Sequence, residues 1–340
     1  MPQPTVHTVL GPVPASTLGV TTMHEHLFSD ARVWYDPPTE PNAPTEVTME
    51  NLGWLRWNIH RVEDNLILDD EATAESELAL FGAAGGGTLV DLTPTNVGGQ
   101  VRLLPGISRR TGVNVVVSTA LYVHGAHPDW VEKASVDDLT NFFLAELADG
   151  VDGSGILPAI IGEIGTSAAV TDREWRVVHA AGAAGAASGA AVNIHLDPFG
   201  MHAPAILTVL LEEGMTADRV VFSHMDEHLD LGYHREVAQA GAVLEYDTFG
   251  AEFYWGDFHR DATDKQRLDD LVTLVHEGYG DQLVLGCDVW LKITLRRFGG
   301  LGYAHLPQTI IPILGKYYDL DEAAVAKLFV HTPARLLSRR

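Results

Sequence analysis

The stretch GVTTMHEHLFSD, residues 19–30, decides between the two folds that alternating strands and helices allow. Its first eight residues, 19–26, are rich in β-branched and apolar side chains, which predicts a buried strand. A doubly wound dinucleotide-binding sheet would place a glycine-rich phosphate loop directly after this strand. The chain continues instead with Leu27-Phe28-Ser29-Asp30, which contains no glycine. The stretch therefore favours a closed barrel over an open sheet.

Further strands and helices alternate along the whole chain. Short β-branched runs predict seven more strands, at 88–92, 114–122, 159–165, 191–195, 219–224, 242–247 and 282–288. Helical periodicity and capping residues predict helices at 69–84, 136–148, 171–188, 203–213, 261–277 and 321–329. Strands alternating with helices of this length are typical of a parallel sheet. Eight of them predict an α/β fold, the (β/α)8 TIM barrel, as one domain over residues 1–340.

Two segments stand apart from this alternation. Residues 6–18, centred on Gly11-Pro12, predict a small hairpin before the first barrel strand. Residues 30–69 form a long insertion, rich in Pro and Trp, after that strand. An insertion at this position emerges on the barrel face where active sites form. We interpret it as a lid or wall of that site, with a structural cap over the helices as the alternative.

Composition excludes several classes of partner. The chain has 340 residues, 46% of them hydrophobic, and a formal net charge of −24, which indicates an acidic globular protein. Such a surface repels phosphate backbones and anionic lipids, so we expect neither nucleic acid nor a membrane as partner. The one cysteine, Cys287, permits no disulfide within the chain. With no apolar stretch long enough to span a bilayer, we expect a cytoplasmic protein.

Side chains that can bind metals follow the apolar runs of several predicted strands. Alternation along the first strand points two imidazoles into the barrel and Glu25 outward. The carboxyl ends of barrel strands form active sites, and the predicted strands bring six such side chains there: His24, His26, Glu163, His195, His224 and Asp288. Four imidazoles and two carboxylates suit zinc, with manganese or cobalt as alternatives. Six ligands are too many for one catalytic zinc, so they predict two divalent metal ions that share a carboxylate.

Several short motifs surround these ligands. They are TVLGPV (8–13), LGVTTMHEHL (18–27), IGEIGTS (161–167), FSHMD (222–226), EYDTFG (245–250) and FGGLGY (298–303). Together they resemble the phosphotriesterase-related branch of the amidohydrolase superfamily over nearly the whole chain. The stretches NLGW (51–54) and EDNL (63–66) look like its phosphotriesterase-related protein subgroup.

The resemblance implies how the ligands are divided. Members of the family hold one more buried ion and one outer ion. The resemblance implies that His24, His26 and Asp288 bind the more buried ion and that His195 and His224 bind the outer one. The organophosphate-degrading members bridge the ions with a carboxylated lysine, whereas the matching position here is Glu163. This departure weakens any transfer of phosphotriesterase activity to this chain. A homodimer is a common outcome for the family.

The ligands and the resemblance together predict a binuclear hydrolase for a small-molecule substrate. A hydroxide between the ions would attack a polarised carbonyl or phosphoryl group, and Asp288 would carry the proton to the leaving group. His224 would relay the proton outward, oriented by Asp226. We expect a carboxylic-acid derivative as substrate: a small N-acyl amide, a lactone or an ester. Phosphotriester hydrolysis is the alternative, and a non-catalytic metal-binding barrel is the alternative of another class.

Two residues are candidates for substrate contacts. Tyr122 ends the third predicted strand, where its phenol would face the metals or else pack at the barrel rim. Lys292, four residues after Asp288, would bind an anionic group of the substrate, as would Arg296 or Arg297, unless these are ordinary surface charges.

Overall fold

The computed structural model describes residues 4–255 and 259–339. Its strands are β1 Thr5–Thr8, β2 Gly11–Pro14, β3 Val20–Glu25, β4 Ser29–Asp30, β5 Ile67–Leu68, β6 Gly86–Asp91, β7 Asn114–Thr119, β8 Ile160–Gly165, β9 Ala191–His195, β10 Val220–Phe222, β11 Val243–Tyr246, β12 Tyr254–Trp255, β13 His259–Arg260 and β14 Leu283–Leu285. Its α-helices are α1 Leu52–Leu55, α2 Glu71–Ala83, α3 Leu104–Thr111, α4 Val136–Asp149, α5 Asp172–Ser188, α6 Ala203–Glu212, α7 Leu231–Gln239, α8 Asp264–Leu274, α9 Ile311–Tyr317, α10 Glu322–Ala326 and α11 Thr332–Leu337.

Eight parallel strands form the central sheet in the order β14-β11-β10-β9-β8-β7-β6-β3. The first and last of these strands meet where the Asp288 backbone N–H donates to the His24 carbonyl oxygen at 3.1 Å. The outward-facing carboxylate of Glu25 strengthens this seam by accepting the backbone N–H groups of Cys287 at 2.9 Å and Val289 at 3.1 Å. The predicted α/β TIM barrel is therefore confirmed.

The predicted hairpin and insertion both form separate small units. β1 and β2 pair antiparallel, from Thr5 opposite Pro14 to Thr8 opposite Gly11. In the insertion, β4 and β5 pair antiparallel at its two ends. Its interior has a small apolar cluster in which Leu55 and Leu66 are both 0% exposed.

The helix predictions hold where a capping signal is strong. The side chain of Thr171 accepts the Glu174 backbone N–H, and Glu174 accepts the Thr171 N–H, so α5 begins as its capping box predicts. Of the predicted helix 261–277, only Asp264–Leu274 is α-helical, because α8 then passes into a π-helical turn at Val275–Tyr279. The predictions missed α1, α3, α7, α9 and α11. Within 4–255 and 259–339, no helix is both long and apolar enough to cross a membrane.

The barrel interior is apolar at one end. Seven strands each contribute one inward side chain with 0% exposure, and we call this set the barrel floor: Val90, Val116, Ile160, Ala191, Val221, Val243 and Val284. Val6 of the hairpin and Leu336 of α11 belong to the same cluster and cover it from below. The floor leaves the carboxyl ends of the strands as the one side from which the interior opens, among the described residues, into a large cavity.

Candidate metal centre

The carboxyl ends of the strands bring the six predicted ligands together above the floor. We call this region the barrel mouth. Its side chains come from β3, β8 and β9 and from the residues that directly follow β10 and β14: His24, His26, Glu163, His195, His224 and Asp288. All but His195 are buried, and five of the six line the cavity while His24 lies beneath them with 0% exposure.

Glu163 lies at the centre of this group. Its Oε1 atom is 2.5 Å from His195 Nδ1, 3.1 Å from His224 Nε2 and 3.6 Å from His24 Nε2. Two sets of three ligand atoms, each within 4.8 Å, share this carboxylate: His24, His26 and Glu163 on one side, and Glu163, His195 and His224 on the other. One carboxylate between two pairs of imidazoles is the arrangement that a bridging ligand requires.

Asp288 completes the first set. Its Oδ1 atom lies 3.1 Å from His26 Nε2 and 3.8 Å from His24 Nε2. The His24 Nε2 atom is buried and has no hydrogen-bond partner within the described part of the chain. It faces carboxylate oxygens of Glu163 and Asp288 at 3.6 and 3.8 Å. An imidazole nitrogen buried at this distance from two carboxylates fits a divalent cation between them, bound through nitrogen and oxygen.

The orientations of His224 and Glu163 depend on local departures from regular strand geometry. Phe222 packs on the outer side of β10, so simple alternation would point His224 outward as well. His224 instead has a φ of +60°, a left-handed conformation that directs its ring into the mouth. In β8 the pairing with β9 shifts register between Ile161 and Ile164, and Glu163 lies within this irregularity.

A second layer of carboxylates holds the imidazoles. Asp247 contacts Nδ1 of His24 at 3.0 Å and Nδ1 of His224 at 3.1 Å. Glu245 also lies 3.2 Å from His24 Nδ1, and it accepts hydrogen bonds from Asn193 and Ser223. Because these contacts occupy Nδ1, the Nε2 atoms are left to face Glu163. Asp247 is also within metal-binding distance of both rings, but it lies on their Nδ1 side, so we assign it an orienting role.

Asp247 rather than Asp226 is thus the residue that orients His224, and the earlier expectation for Asp226 is wrong. Asp226 acts one step further out: it accepts the backbone N–H groups of Asp247 and Thr248, both at 3.1 Å, and pairs with the fully buried Arg267 at 3.1 Å. Sequence reasoning missed Asp247, although alternation along the motif EYDTFG, with outward Tyr246, would have pointed it inward.

The buried charges change the acidity of one another. Burial opposes ionisation of Glu163, but the imidazoles of His195 and His24 outweigh it and hold the pKa of Glu163 well below its usual value. Likewise, His224 and His24 overcome burial and lower the pKa of Asp247. Burial would lower the pKa of His24, but Glu163 and Asp247 raise it well above 6.5. The mouth therefore contains carboxylates that stay ionised and can offer negative charge to a cation.

The mouth opens into a cavity of about 490 Å³. The insertion contributes Trp34, Asp36 and His60 to its lining, so this segment forms part of the cavity wall. Tyr122 lines the cavity as well, with its ring edge-on to His195 at 4.8 Å between centroids. The Trp34 indole N–H donates to the Tyr122 hydroxyl oxygen at 3.3 Å. Burial, reinforced by Glu163, raises the pKa of Tyr122 well above 10, so its phenol stays protonated.

The basic residues after β14 do not join this cavity. Lys292 is not among the described residues that line it, because its ammonium group pairs with Asp64 of the insertion. Arg296 donates to the Gln308 side chain at 2.9 Å, and Arg297 pairs with Asp70 at 3.2 Å. The structure therefore contradicts the interpretation of Lys292 as a substrate contact. Its position four residues after Asp288 predicted a place in the cavity, but its ammonium group pairs with the Asp64 carboxylate of the insertion instead.

Comparison with known proteins agrees with this geometry. The model of the phosphotriesterase family matches residues 4–337. An N-acetyltaurine hydrolase from Xenopus tropicalis is 34% identical and covers 98% of this chain and 97% of its own length. The crystal structure of a resiniferatoxin-binding protein from Rhodobacter sphaeroides superposes with a TM-score of 0.95 at 35% identity, covering 98% of this chain and 95% of that one. A lactonase from Listeria monocytogenes shares the fold, with a TM-score of 0.82, 24% identity and 99% of both chains covered.

A match over nearly the whole chain, with relatives of this identity and coverage, establishes the family. The ligand cluster at the barrel mouth is consistent with the metal-dependent chemistry of its members. The chain belongs to the phosphotriesterase family and is a metal-dependent hydrolase.

Proposed function

We propose that the chain is a binuclear hydrolase of carboxylic-acid derivatives whose preferred substrate class is the small N-acyl amide, ahead of lactones and esters. One observation carries the proposal: the single Oε1 atom of Glu163 faces His24 on one side and His195 and His224 on the other. The relatives named N-acetyltaurine hydrolase, at 33–35% identity, support the amide class. Phosphotriester hydrolysis is the competing activity that the test below includes.

The chain's own side chains would hold the metals as two sites. His24, His26 and Asp288 would bind the more buried ion, His195 and His224 the outer one, and Glu163 both. When bound, a pair of divalent ions, zinc before manganese or cobalt, would supply the Lewis acidity that activates water and polarises the scissile carbonyl. The second layer of Asp247 and Glu245 supports this arrangement because it orients the nitrogen lone pairs.

Asp288 is the proposed proton carrier. It is 7% exposed and lines the cavity, so its carboxylate meets both the ligand cluster and a bound substrate. As the bond from water oxygen to the acyl carbon forms, Asp288 accepts the proton, and it delivers this proton to nitrogen as the C–N bond breaks. His224 Nδ1 lies 4.0 Å from Asp288 and 3.1 Å from Asp247. His224 thereby connects the proton carrier to the buried carboxylate of Asp247, which would share the Nδ1 proton in an outward relay.

Tyr122 is the proposed contact to the acyl oxygen. Its hydroxyl oxygen already accepts from Trp34, and its own proton would be donated to the substrate. Because burial raises its pKa well above 10, the phenol keeps its proton at neutral pH and can donate it to the acyl oxygen.

The test pairs metal content with a substrate panel. Protein reconstituted separately with zinc, manganese and cobalt is analysed for metal per chain and assayed on N-acetyl amides, lactones, aryl esters and a phosphotriester. We expect close to two ions per chain and the highest kcat/KM on an amide. One ion or fewer after reconstitution contradicts the binuclear site, and a highest rate on the phosphotriester contradicts the substrate class.

A matched pair of variants isolates the bridging role of Glu163. Glu163→Gln removes the charge between the two sites, so we expect it to lose at least one ion per chain together with nearly all turnover. Glu212→Gln makes the same chemical change at an exposed position on α6 and is expected to behave like the wild type. Retention of two ions by Glu163→Gln would overturn the bridging assignment.

A further inference from the structure

The cavity wall beyond the metal ligands has a one-sided charge. Three of its side chains are carboxyls, those of Asp36, Asp197 and Glu227. Among the described residues, neither lysine nor arginine lines the cavity. Residues 256–258, outside the described part, are Gly, Asp and Phe in the sequence and contribute no basic side chain. Beyond the metal ligands, the described part of the wall therefore offers acids but neither lysine nor arginine to an anionic group.

The basic residues closest in sequence to the wall are all directed to carboxylates. Each one is separated from a lining residue by one or two positions, and each forms an ion pair: Arg32 with Asp30 at 2.6 Å, Arg61 with Asp36 at 3.6 Å, and Lys292 with Asp64. Of the wall carboxyls, Asp36 is therefore partly neutralised, and its side chain is also 68% exposed. Burial, reinforced by the nearby carboxylates of Asp261 and Asp247, raises the pKa of Glu227 well above its usual value, so the negative charge of the wall comes mainly from Asp197.

Asp197 and Glu227 have no ion-pair partner within the described residues. The Oδ1 atom of Asp197 accepts the backbone N–H groups of Phe199 and Gly200, both at 3.0 Å, which fixes the carboxylate beside the cavity. Glu227 is only 7% exposed. A sulfonate or carboxylate on the substrate would lose water next to these groups without gaining a lysine or arginine partner among the described lining residues, which is unfavourable.

Much of the remaining wall is apolar and partly aromatic, beside the polar side chains of Ser29, His60, Thr93, Thr166 and Ser167. It includes Trp34, Val97, Leu196, Phe199 and Trp290. Such surfaces bind alkyl and aromatic groups, and the indole faces also attract cations. An apolar or cationic group thus finds favourable contacts here, whereas an anionic group finds neutral hydrogen-bond donors but, among the described lining residues, no lysine or arginine.

We propose that this cavity selects acyl substrates whose leaving part is uncharged or cationic, and that it disfavours anionic leaving parts such as taurine. The inference rests on the hydrolase function proposed above and narrows its substrate class. It separates this chain from its relatives named N-acetyltaurine hydrolase, since the leaving part of N-acetyltaurine bears a sulfonate.

Three acetamides of nearly equal size test the proposal on metal-loaded enzyme. They are N-acetyltaurine, which is anionic, N-(2-aminoethyl)acetamide, which is cationic, and N-propylacetamide, which is neutral. We expect kcat/KM for the cationic and neutral amides to exceed that for N-acetyltaurine by about tenfold or more, since like charges brought together at a desolvated site carry at least such a penalty. A rate on N-acetyltaurine equal to or above the other two would overturn the inference and leave the proposed function standing.

A binding measurement separates the two proposals if turnover is absent. Metal-loaded Asp288→Asn protein, expected not to turn substrate over, is titrated calorimetrically with each amide. If the wild type hydrolyses none of the three and no lactone or ester, the proposed function fails. The order of binding then still decides the inference: weakest binding of N-acetyltaurine supports it, and tightest binding overturns it.

Charge removal identifies the residues responsible. In Asp197→Asn the amide oxygen still accepts the N–H groups of Phe199 and Gly200, so the charge is lost while the turn is kept. Together with Glu227→Gln, it is expected to lower the ratio of cationic to anionic kcat/KM about fivefold or more. Asp149→Asn, which removes one exposed charge at the end of α4, is the control and should leave the ratio unchanged. An unchanged ratio in the double variant would overturn the assignment.

Discussion

The floor and the mouth of the barrel occupy the same interior, yet they are built in opposite ways. Floor residues such as Ile160 and Val221 are fully buried and apolar. A few residues further along the same strands, Glu163 and His224 are also buried but ionisable. The floor gains stability from removing apolar surface from water, while the mouth confines charges that only one another, or a bound cation, can compensate.

The comparison shows that the residues that stabilise the barrel and the residues that form its site occupy different positions along each strand. In β9, for example, Ala191 belongs to the floor, Asn193 supports Glu245, and His195 faces Glu163. A substitution in the floor should therefore cost stability with the site intact. A substitution in the mouth should cost activity or metal binding with the fold intact.

The largest expected effect is on catalysis. Asp288→Asn removes the proposed proton carrier but keeps an oxygen near His26, so kcat should fall by about 10³-fold while most of the metal is retained. Steady-state kinetics and metal analysis on the same preparation check this, and the melting temperature should stay close to that of the wild type. Turnover within a factor of ten of the wild type would remove Asp288 from the proton path.

The next effect is on stability, at the floor. Ile160→Ala leaves a cavity at a position with 0% exposure, so the free energy of unfolding should fall by about 3 kcal/mol. Ile160→Val, the smaller change, should cost about 1 kcal/mol. Denaturant titration measures both, and the folded variants should still bind as much metal as the wild type. Loss of metal from folded Ile160→Ala would show that the floor and the mouth are not independent.

A smaller effect is expected in the second layer of the mouth. Asp247→Asn weakens the contacts to Nδ1 of both His24 and His224, so metal affinity should decrease by about 10- to 100-fold. Competition with a chelator of known affinity measures the change. The exposed variant Asp149→Asn serves again as the charge control. Wild-type affinity in Asp247→Asn would mean that packing alone orients the two rings.

The smallest effect is expected at the wall. Tyr122→Phe deletes one hydrogen-bond donor to substrate and should lower kcat/KM by up to about tenfold, with metal content unchanged. Trp34→Phe removes the indole N–H that orients this hydroxyl, so it should also lower kcat/KM, but by a smaller factor. Unaltered kcat/KM in Tyr122→Phe would leave Tyr122 as a packing residue only.

Much of the fold and the ligand set was predictable because both depend on short-range periodicity. Alternation in HEH, residues 24–26, correctly separates two inward imidazoles from Glu25, whose carboxylate holds the seam of the barrel. The capping box at Thr171 likewise predicts the start of α5. These features follow from hydrogen bonds and side-chain directions within a few residues.

Other features depend on neighbours distant in sequence. Alternation predicts the wrong side for His224. Its backbone has a positive φ, and its backbone N–H and ring contact Asp247, which directly follows β11. The assignment of Lys292 is wrong because Asp64, 228 positions away, captures the ammonium group. Residue patterns along the chain do not show which residues distant in sequence come into contact.

The sequence by itself thus determined the barrel and the six side chains at the ends of its strands, because both depend on patterns within a few residues of the chain. Only the tertiary structure decided that Glu163 faces both halves of the ligand cluster, that Asp247 orients it, and that Lys292 stays out of the cavity. The physical reason is that carboxylates and cations pair across strands and loops by proximity in space. The charge of the cavity wall, and with it the expected choice of substrate, follows from that pairing.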